Sequence, residues 1–201
     1  MLIALVAMVI GTGVGWLVAH MRLSSSPSIH RGSLVLTELT RNIPTYVFQV
    51  YLAFMLPNEF TLPVTGTIVA FPAWLKASLA LALAVIGFCA DNLSTAIREW
   101  QQGRHGFALL FIPSWTSYLL IIVMASSTAS VIGVSELVSR CNTVINATGK
   151  MEIMLPIYFY ACCVFVSFCY PLTWLMKYVK KLIGRNISEK RHLGTPSVSS
   201  I

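Results

Sequence analysis

Charge is scarce in this chain of 201 residues, which contains seven acidic residues and four histidines. Charged residues make up 10% of the sequence, whereas soluble domains contain about 25%. Hydrophobic residues make up 56%, and a soluble fold with so few charges cannot cover that much apolar surface. The composition therefore excludes an ordinary soluble domain and indicates lipid as the solvent.

Metal-binding and catalytic patterns are missing as well. The five cysteines form no CxxC pair, no histidine lies near them at ligand spacing, and four of them stand in apolar stretches. We therefore predict no disulfide framework and no metal site. No Ser/His/Asp, Cys/His or paired-carboxylate arrangement is visible, so we expect no enzyme activity and no cofactor. The basic residues lie between apolar blocks rather than on one stripe, which argues against nucleic-acid binding.

Long apolar runs are what the sequence does have. A bilayer core of about 30 Å needs roughly 20 apolar residues per helix. Residues 60–75 are apolar too, but Pro63, Gly66 and Pro72 indicate a loop or re-entrant segment. We predict an all-α membrane protein with five transmembrane helices in a domain over residues 1–183, and a polar, disordered tail over 184–201. The five predicted spans are residues 1–21, 42–58, 76–97, 105–135 and 154–176.

The basic residues predict the orientation of these spans. With alternating direction, most of them fall on one side of the bilayer, and the positive-inside rule makes that side cytoplasmic. The N-terminus is then outside and the C-terminal tail is cytoplasmic. The residues on the basic side are Arg22, Arg31, Arg41, Arg98, Arg104, Lys177, Lys180, Lys181, Arg185, Lys190 and Arg191, against Lys76, Arg140 and Lys150 on the other.

Asp91 is the only acidic residue within the third predicted span. A carboxylate at the centre of a membrane helix costs roughly 3 kcal/mol, so such residues usually face a partner or a water-filled cavity. A hydrated position near the cytoplasmic interface is the alternative, because Arg98 follows two turns later. Asn92 and Thr95 are polar neighbours in both interpretations, and all three are candidates for a solute path.

The fourth apolar run contains a cluster of hydroxyl residues, with Ser126 and Ser130 on one helical face and Ser127 beside them. Hydroxyl groups that pack helices together account for the cluster. The alternative is that these serines line a passage for a polar solute. In the first span, Gly11 and Gly15 form a GxxxG pair, which predicts close helix packing.

Three segments resemble one family. The stretch over residues 126–137, SSTASVIGVSEL, closely resembles a motif of the permease subunits of ABC importers for polar amino acids, with Gly133 and Glu136 at matching positions. Residues 41–57, RNIPTYVFQVYLAFMLP, resemble the family's RGTPLLVQLFFIYFGLP segment, including Arg41 and Pro44. Pro113 stands where the family has its LPPLGN element, and the resemblance covers residues 1 to about 183.

The resemblance implies the architecture of a type I importer in the bacterial inner (plasma) membrane. Two permease subunits, identical or different, would form the pathway. A cytoplasmic ABC ATPase dimer would drive it, and an external solute-binding protein would deliver the amino acid. Five core helices with the N-terminus outside are implied too, in agreement with the charge distribution.

The chain also departs from the family pattern. The family docks on its ATPase through an EAA motif between spans three and four, but here Pro113 follows shortly after Gly103, and a connection this short cannot form docking helices. Met124 and Ala125 replace the family's Lys and Asp, and Asn92 aligns with a Glu. Three functions thus remain open: a permease subunit, a degenerate permease that acts as a non-transporting interaction or regulatory subunit, and an autonomous small channel or exporter.

Overall fold

A computed structural model describes residues 1–61 and 68–193, in which helices dominate. Residues 62–67, which include the predicted turn residues Pro63 and Gly66, and residues 194–201 lie outside the described part. The α-helices are α1 (Leu2–Arg22), α2 (Pro27–Asn42), α3 (Thr45–Met55), α4 (Ala73–Gln101), α5 (His105–Ala108), α6 (Phe111–Ala125), α7 (Leu137–Thr148) and α8 (Met154–Leu193). Two 3₁₀ helices (Ser126–Ile132 and Met151–Ile153) and two strands, β1 (Glu59–Thr61) and β2 (Ile68–Ala70), complete the description.

Four helical stretches in the described part are long and apolar enough to cross a membrane: Leu2–Arg22, Ala73–Gln101, His105–Ile132 and Met151–Arg185. These correspond to four of the five predicted spans, and the chain is a multi-pass helical membrane protein. The remaining span, over residues 42–58, corresponds to α3, which with 11 residues reaches about 16 Å of a core of about 30 Å. The fifth span and the orientation of the termini stay predictions.

Helices α1 and α4 run parallel and pack closely through the two predicted glycines. A Cβ atom on Gly11 would lie 2.4 Å from the Cβ of Val85, and one on Gly15 would lie 2.5 Å from the Cβ of Cys89. Real Cβ atoms do not approach so closely, so only glycine allows the two backbones to meet. The packing role predicted for the GxxxG pair is confirmed.

Helix α2 lies between the first two predicted spans, in a segment for which no helix was predicted. It packs on α4 with a hydroxyl face made of Ser33, Thr37 and Thr40, all of them buried. Each of these hydroxyls donates to a carbonyl of its own helix, and this satisfies it without a partner on α4. At Gly87 of α4 the helices are so close that a Cβ would lie 2.5 Å from Oγ1 of Thr40.

The segment between α3 and α4 contains a short hairpin where a loop or re-entrant segment was predicted. Strands β1 and β2 pair antiparallel, with Glu59 opposite Ala70 and Thr61 opposite Ile68. Lys76, near the start of α4, is buried beside this hairpin. Its Nζ donates to the carbonyls of Leu56 (2.6 Å) and Ala53 (3.3 Å) and to Oδ1 of Asn58 (3.0 Å). The ammonium group therefore ties the C-terminal end of α3 to the beginning of α4.

The second half of the chain places α6 against the α1–α4 pair, and α8 packs on α6 and α7. Trp115 of α6 donates through Nε1 to Oγ1 of Thr12 in α1, over 2.8 Å, and α6 ends in the 3₁₀ helix Ser126–Ile132. Helix α8 passes Pro171 without a break and continues through Gly184 to Leu193. The predicted boundary between residues 183 and 184 and the predicted disorder of the tail stay predictions.

Candidate functional site

Asp91 is the centre of an ion-pair cluster at the end of α1 and α2. Its Oδ1 accepts from the guanidinium of Arg22, the last residue of α1, and its Oδ2 accepts from that of Arg41, in the last turn of α2. The side chains of Asp91 and Arg22 are 21% exposed and that of Arg41 is 57% exposed. One carboxylate between two guanidinium groups leaves the cluster with one net positive charge.

The two polar neighbours of Asp91 face different surroundings. Thr95 is exposed and its hydroxyl donates to the carbonyl of Asp91 over 3.0 Å, within one turn of α4. Asn92 is partly buried, donates to the carbonyl of Phe88 over 2.9 Å, and lines a cavity between α4, α6 and α8. The three predicted path residues of α4 are therefore not brought together in one pocket.

The serine cluster lies on the 3₁₀ helix Ser126–Ile132. The hydroxyls of Ser126, Ser127 and Ser130 donate to the backbone carbonyls three residues earlier, over 2.7, 2.7 and 2.9 Å. Tighter 3₁₀ winding at the end of a membrane helix brings these carbonyls within reach of the hydroxyls. Ser126 is buried and lines a cavity, whereas Ser127 has no part in it.

Gln49 joins α3 to this 3₁₀ helix. The side chain is fully buried, and its Oε1 accepts from the hydroxyl of Thr128 over 2.6 Å. Its Nε2 has no hydrogen-bond partner in the part of the chain that the structure describes. A buried amide donor without an acceptor costs about 1–3 kcal/mol. A hydrogen-bond acceptor placed beside Nε2 of Gln49 would therefore stabilise the folded protein.

The first cavity, here named the Ser126 cavity, lies at the end of the bundle where α1 and α4 begin. It measures about 550 Å³. Apolar side chains line most of it, and the hydroxyl of Ser126 and the 3₁₀ exit at Gly133 add polar groups. Its lining includes Met1, Leu2, Ile3, Ala73, Trp74, Val123, Val134, Ser135, Glu136, Leu137, Val164 and Phe165. An apolar cavity with a few convergent polar groups is typical of a small-molecule site.

The second cavity, the Lys177 cavity, lies at the opposite end, between α4, α6 and α8. It measures about 450 Å³ and is lined by Asn92, Lys177 and Lys180 among others. Ser114, Ser117 and Thr173 add hydroxyls, and Phe88, Pro113, Tyr118, Ile121 and Met176 form its less polar wall. With two ammonium groups and no carboxylate in its lining, this cavity favours an anionic occupant.

The predicted motif positions have mainly conformational roles. Pro44 is the N-cap residue of α3, and Pro113 lies in the first turn of α6, where its missing N–H leaves no hydrogen bond unmade. Gly133 ends the 3₁₀ helix with a φ of +82°, a conformation that favours glycine. The Glu136 carboxylate accepts from the backbone N–H groups of Val138 and Ser139, over 3.0 and 2.8 Å, and so caps α7. Arg41, the fifth position, belongs to the Asp91 cluster.

The connection between α4 and α6 spans only residues 102–110. It contains the turn at Gly103, whose φ is +76°, and the four-residue helix α5. The side chain of Arg104 pairs with Glu99 at the end of α4, over 2.6 Å, which fixes the turn. A segment of this length presents no helix of more than about one turn.

The arrangement of these helices has a counterpart among solved structures. The chain superposes on one described as the crystal structure of an amino acid ABC transporter with histidines, with a TM-score of 0.71 and 17% sequence identity. The match covers 89% of this chain and 88% of that one. The two chains share a fold. No protein-family model and no curated protein matches the sequence.

The shared fold supports the coarse part of the family resemblance, which is the arrangement of the helices. The sequence analysis missed the two cavities, the hydrogen bond between Gln49 and Thr128, and the hydrogen bonds by which Lys76 joins α4 to the end of α3. Lys177 and Lys180 were noted only as two of the basic residues that place one side of the protein in the cytoplasm. A spacing of three residues on one helix also placed them on one face, and this could have marked them as a pair.

Proposed function

We propose that this chain is a transmembrane subunit of an ATP-driven importer of polar amino acids in the bacterial inner membrane. The observation that carries the proposal is the fold shared with an amino acid ABC transporter over 89% of the chain. A second permease subunit, a cytoplasmic ABC ATPase dimer and an external solute-binding protein complete the proposed complex. The chain itself hydrolyses no ATP.

The proposed path begins at the Ser126 cavity, on the side to which the solute-binding protein delivers its cargo. The hydroxyl of Ser126 is a polar group through which the wall of this cavity contacts the solute. Towards the cytoplasm the path continues past Asn92, with Asp91, Thr95, Ser127 and Ser130 as further candidates. Because the Asp91 carboxylate is already paired with two arginines, its contribution to solute binding requires one of these pairs to open.

Co-purification tests the complex. The chain, tagged at its C-terminus and extracted from its native membrane in mild detergent, is expected to retain an ABC ATPase and a second permease subunit. Proteoliposomes containing the complex should take up radiolabelled polar amino acids only with the binding protein outside and ATP inside. A chain that purifies without any ATPase would contradict the proposal.

Two serines of the 3₁₀ helix form a matched pair for the path. Both donate to the backbone over 2.7 Å, but only Ser126 lines the cavity. We expect Ser126→Ala to raise the KM for uptake about fivefold, the value of one hydrogen bond of about 1 kcal/mol. Ser127→Ala is expected to leave the KM unchanged. Equal effects of the two variants would remove Ser126 from the path.

The short α4–α6 connection favours a second candidate, a non-transporting interaction or regulatory subunit. Residues 102–110 offer an ATPase only one turn of helix and no EAA motif. In a heterodimer the other permease would supply the docking helices, and transport would persist. Deletion of the gene separates the two: loss of amino-acid uptake supports the importer, and persistence of uptake while a partner complex disassembles supports the regulatory subunit.

A further inference from the structure

The Lys177 cavity does not end at α8, because a second, apolar groove continues from it along the helix. This groove, the Trp174 groove, measures about 290 Å³ and is lined by Val166, Cys169, Tyr170, Thr173, Trp174 and Lys177. Thr173 and Lys177 line both spaces. The two are therefore parts of one depression with a basic end and an apolar end.

The length of this depression corresponds to one lipid leaflet. From Val166 to Lys177 an α-helix rises about 16 Å, close to half of a bilayer core of about 30 Å. The apolar end consists of exposed side chains of α8, such as Tyr170 and Trp174, which no other described element covers. Trp174 lies one turn before Lys177 on α8, and a tryptophan next to basic residues at the end of an apolar run is typical of the membrane interface.

The basic end is suited to an anion. The Lys177 and Lys180 side chains are exposed, and neither forms an ion pair among the described side chains. The hydroxyls of Ser114 and Ser117, in the first two turns of α6, line the same cavity. Asp91, the neighbouring acid, is already neutralised by its two arginines.

One wall of the depression is rigid. The rings of Phe88 and Tyr118 stack with centroids 4.0 Å apart and an interplanar angle of 3°, and the Tyr118 hydroxyl donates to the carbonyl of Ala84 over 3.2 Å. This stack holds α4 and α6 at a fixed separation beside α8. The wall of the cavity that α4 and α6 form is thus in place without an occupant.

From these features we infer that α4, α6 and α8 form a binding site for an anionic phospholipid, with its phosphate at Lys177 and Lys180 and an acyl chain in the Trp174 groove. An amphiphile fits better than a free solute because the apolar groove continues directly from the basic cavity. The inference rests on the orientation used in the proposed function, since basic cavities between membrane helices on the cytoplasmic side match the anionic inner leaflet.

The test uses the full chain purified in detergent, with whatever subunits co-purify, and titrated with dioleoyl phosphatidylglycerol under native mass spectrometry. Each basic side chain at an anionic headgroup strengthens binding about fivefold, so Lys177→Gln/Lys180→Gln should weaken it roughly 25-fold. The matched control is Arg140→Gln/Lys150→Gln, which removes the same charge from exposed residues outside α8 that line neither the cavity nor the groove. The control is expected to change the affinity less than twofold.

Three results would overturn the lipid site: equal losses in both double variants, equal affinity for dioleoyl phosphatidylcholine, and competition by glycerol phosphate at the concentration of the lipid. The last would indicate a site for a free anion. If the glutamine pair does not fold, Lys177→Arg/Lys180→Arg keeps both charges and must retain binding, and loss of binding there also refutes the site. Ser126→Ala separates this inference from the transport path, because Ser126 lines the other cavity, so this variant should impair uptake and leave lipid affinity unchanged.

Discussion

The Asp91 cluster allows a quantitative prediction for the stability of the fold. Asp91→Asn keeps the size and the acceptor oxygen of the side chain but removes the charge that two arginines share. Exposed ion pairs contribute at most about 1 kcal/mol, whereas removal of one partner of a buried pair costs about 3–5 kcal/mol. Asp91 and Arg22, each 21% exposed, lie between these limits, and Arg41, 57% exposed, is near the lower one.

We therefore expect Asp91→Asn to lower the free energy of unfolding by about 2–3 kcal/mol, with most of the loss from the pair with Arg22. Reversible unfolding of the purified chain by sodium dodecyl sulfate in mixed micelles, followed by far-ultraviolet circular dichroism, measures this change. Double-mutant cycles with Arg22→Gln and Arg41→Gln divide it between the two pairs. The coupling to Arg22 should exceed about 1 kcal/mol and that to Arg41 should be below it.

Two results would refute this reasoning. A loss below about 0.5 kcal/mol for Asp91→Asn would mean that solvent replaces both arginines without cost, as at a fully hydrated surface. A coupling to Arg41 larger than that to Arg22 would mean that exposure does not determine the strength of these pairs. Arg98→Gln is the matched control, since Arg98 is exposed on the same helix and forms no ion pair among the described side chains.

Three further predictions concern stability. Gly15→Ala places a methyl group 2.5 Å from the Cβ of Cys89 and should cost about 1–3 kcal/mol in the same unfolding assay, whereas Gly13→Ala, with no atom within 4 Å of the new group, should cost nothing. Lys76→Met leaves the carbonyls at the end of α3 without their donor, so we expect a loss of about 1–3 kcal/mol and faster amide exchange in α3, against no change for the exposed Lys150→Met. Glu136→Ala removes the cap of α7 and should accelerate amide exchange in its first turn, with a cost of about 1 kcal/mol; unchanged exchange there would contradict the capping role.

Features that depend on one helix could be predicted from the sequence. The apolar runs predicted four of the membrane helices because length and hydropathy alone decide whether a segment can cross a bilayer. Gly11 and Gly15 predicted close packing, since two small residues one turn apart form a groove on any helix. Neither observation named the partner, which is α4.

Features that depend on distant segments could not be predicted. Asp91 lies 69 positions from Arg22 and 50 from Arg41, so the sequence left open whether its carboxylate faced a cavity or an interface. Helix α2 was missed because its buried face consists of Ser and Thr, which hydropathy counts as polar. Their hydroxyls donate to carbonyls of α2 itself, and this allows the face to pack on α4. The Ser126 cavity was missed because residues from α1, α4 and α8 form it together.

The enclosed position of α4 has a consequence for the order in which the protein is assembled. In its most apolar window 67% of the residues are buried, against 6% in α8, and α4 contacts α1, α2, α3 and α6. The ribosome completes α1 well before α4, so the glycine face of α1 meets lipid until its partner emerges. Glycine has no side chain that loses packing contacts, so leaving this face unpacked until α4 is made costs little free energy. Most of the tertiary packing of the first three helices therefore begins only when α4 has left the ribosome, because each of them packs mainly on α4.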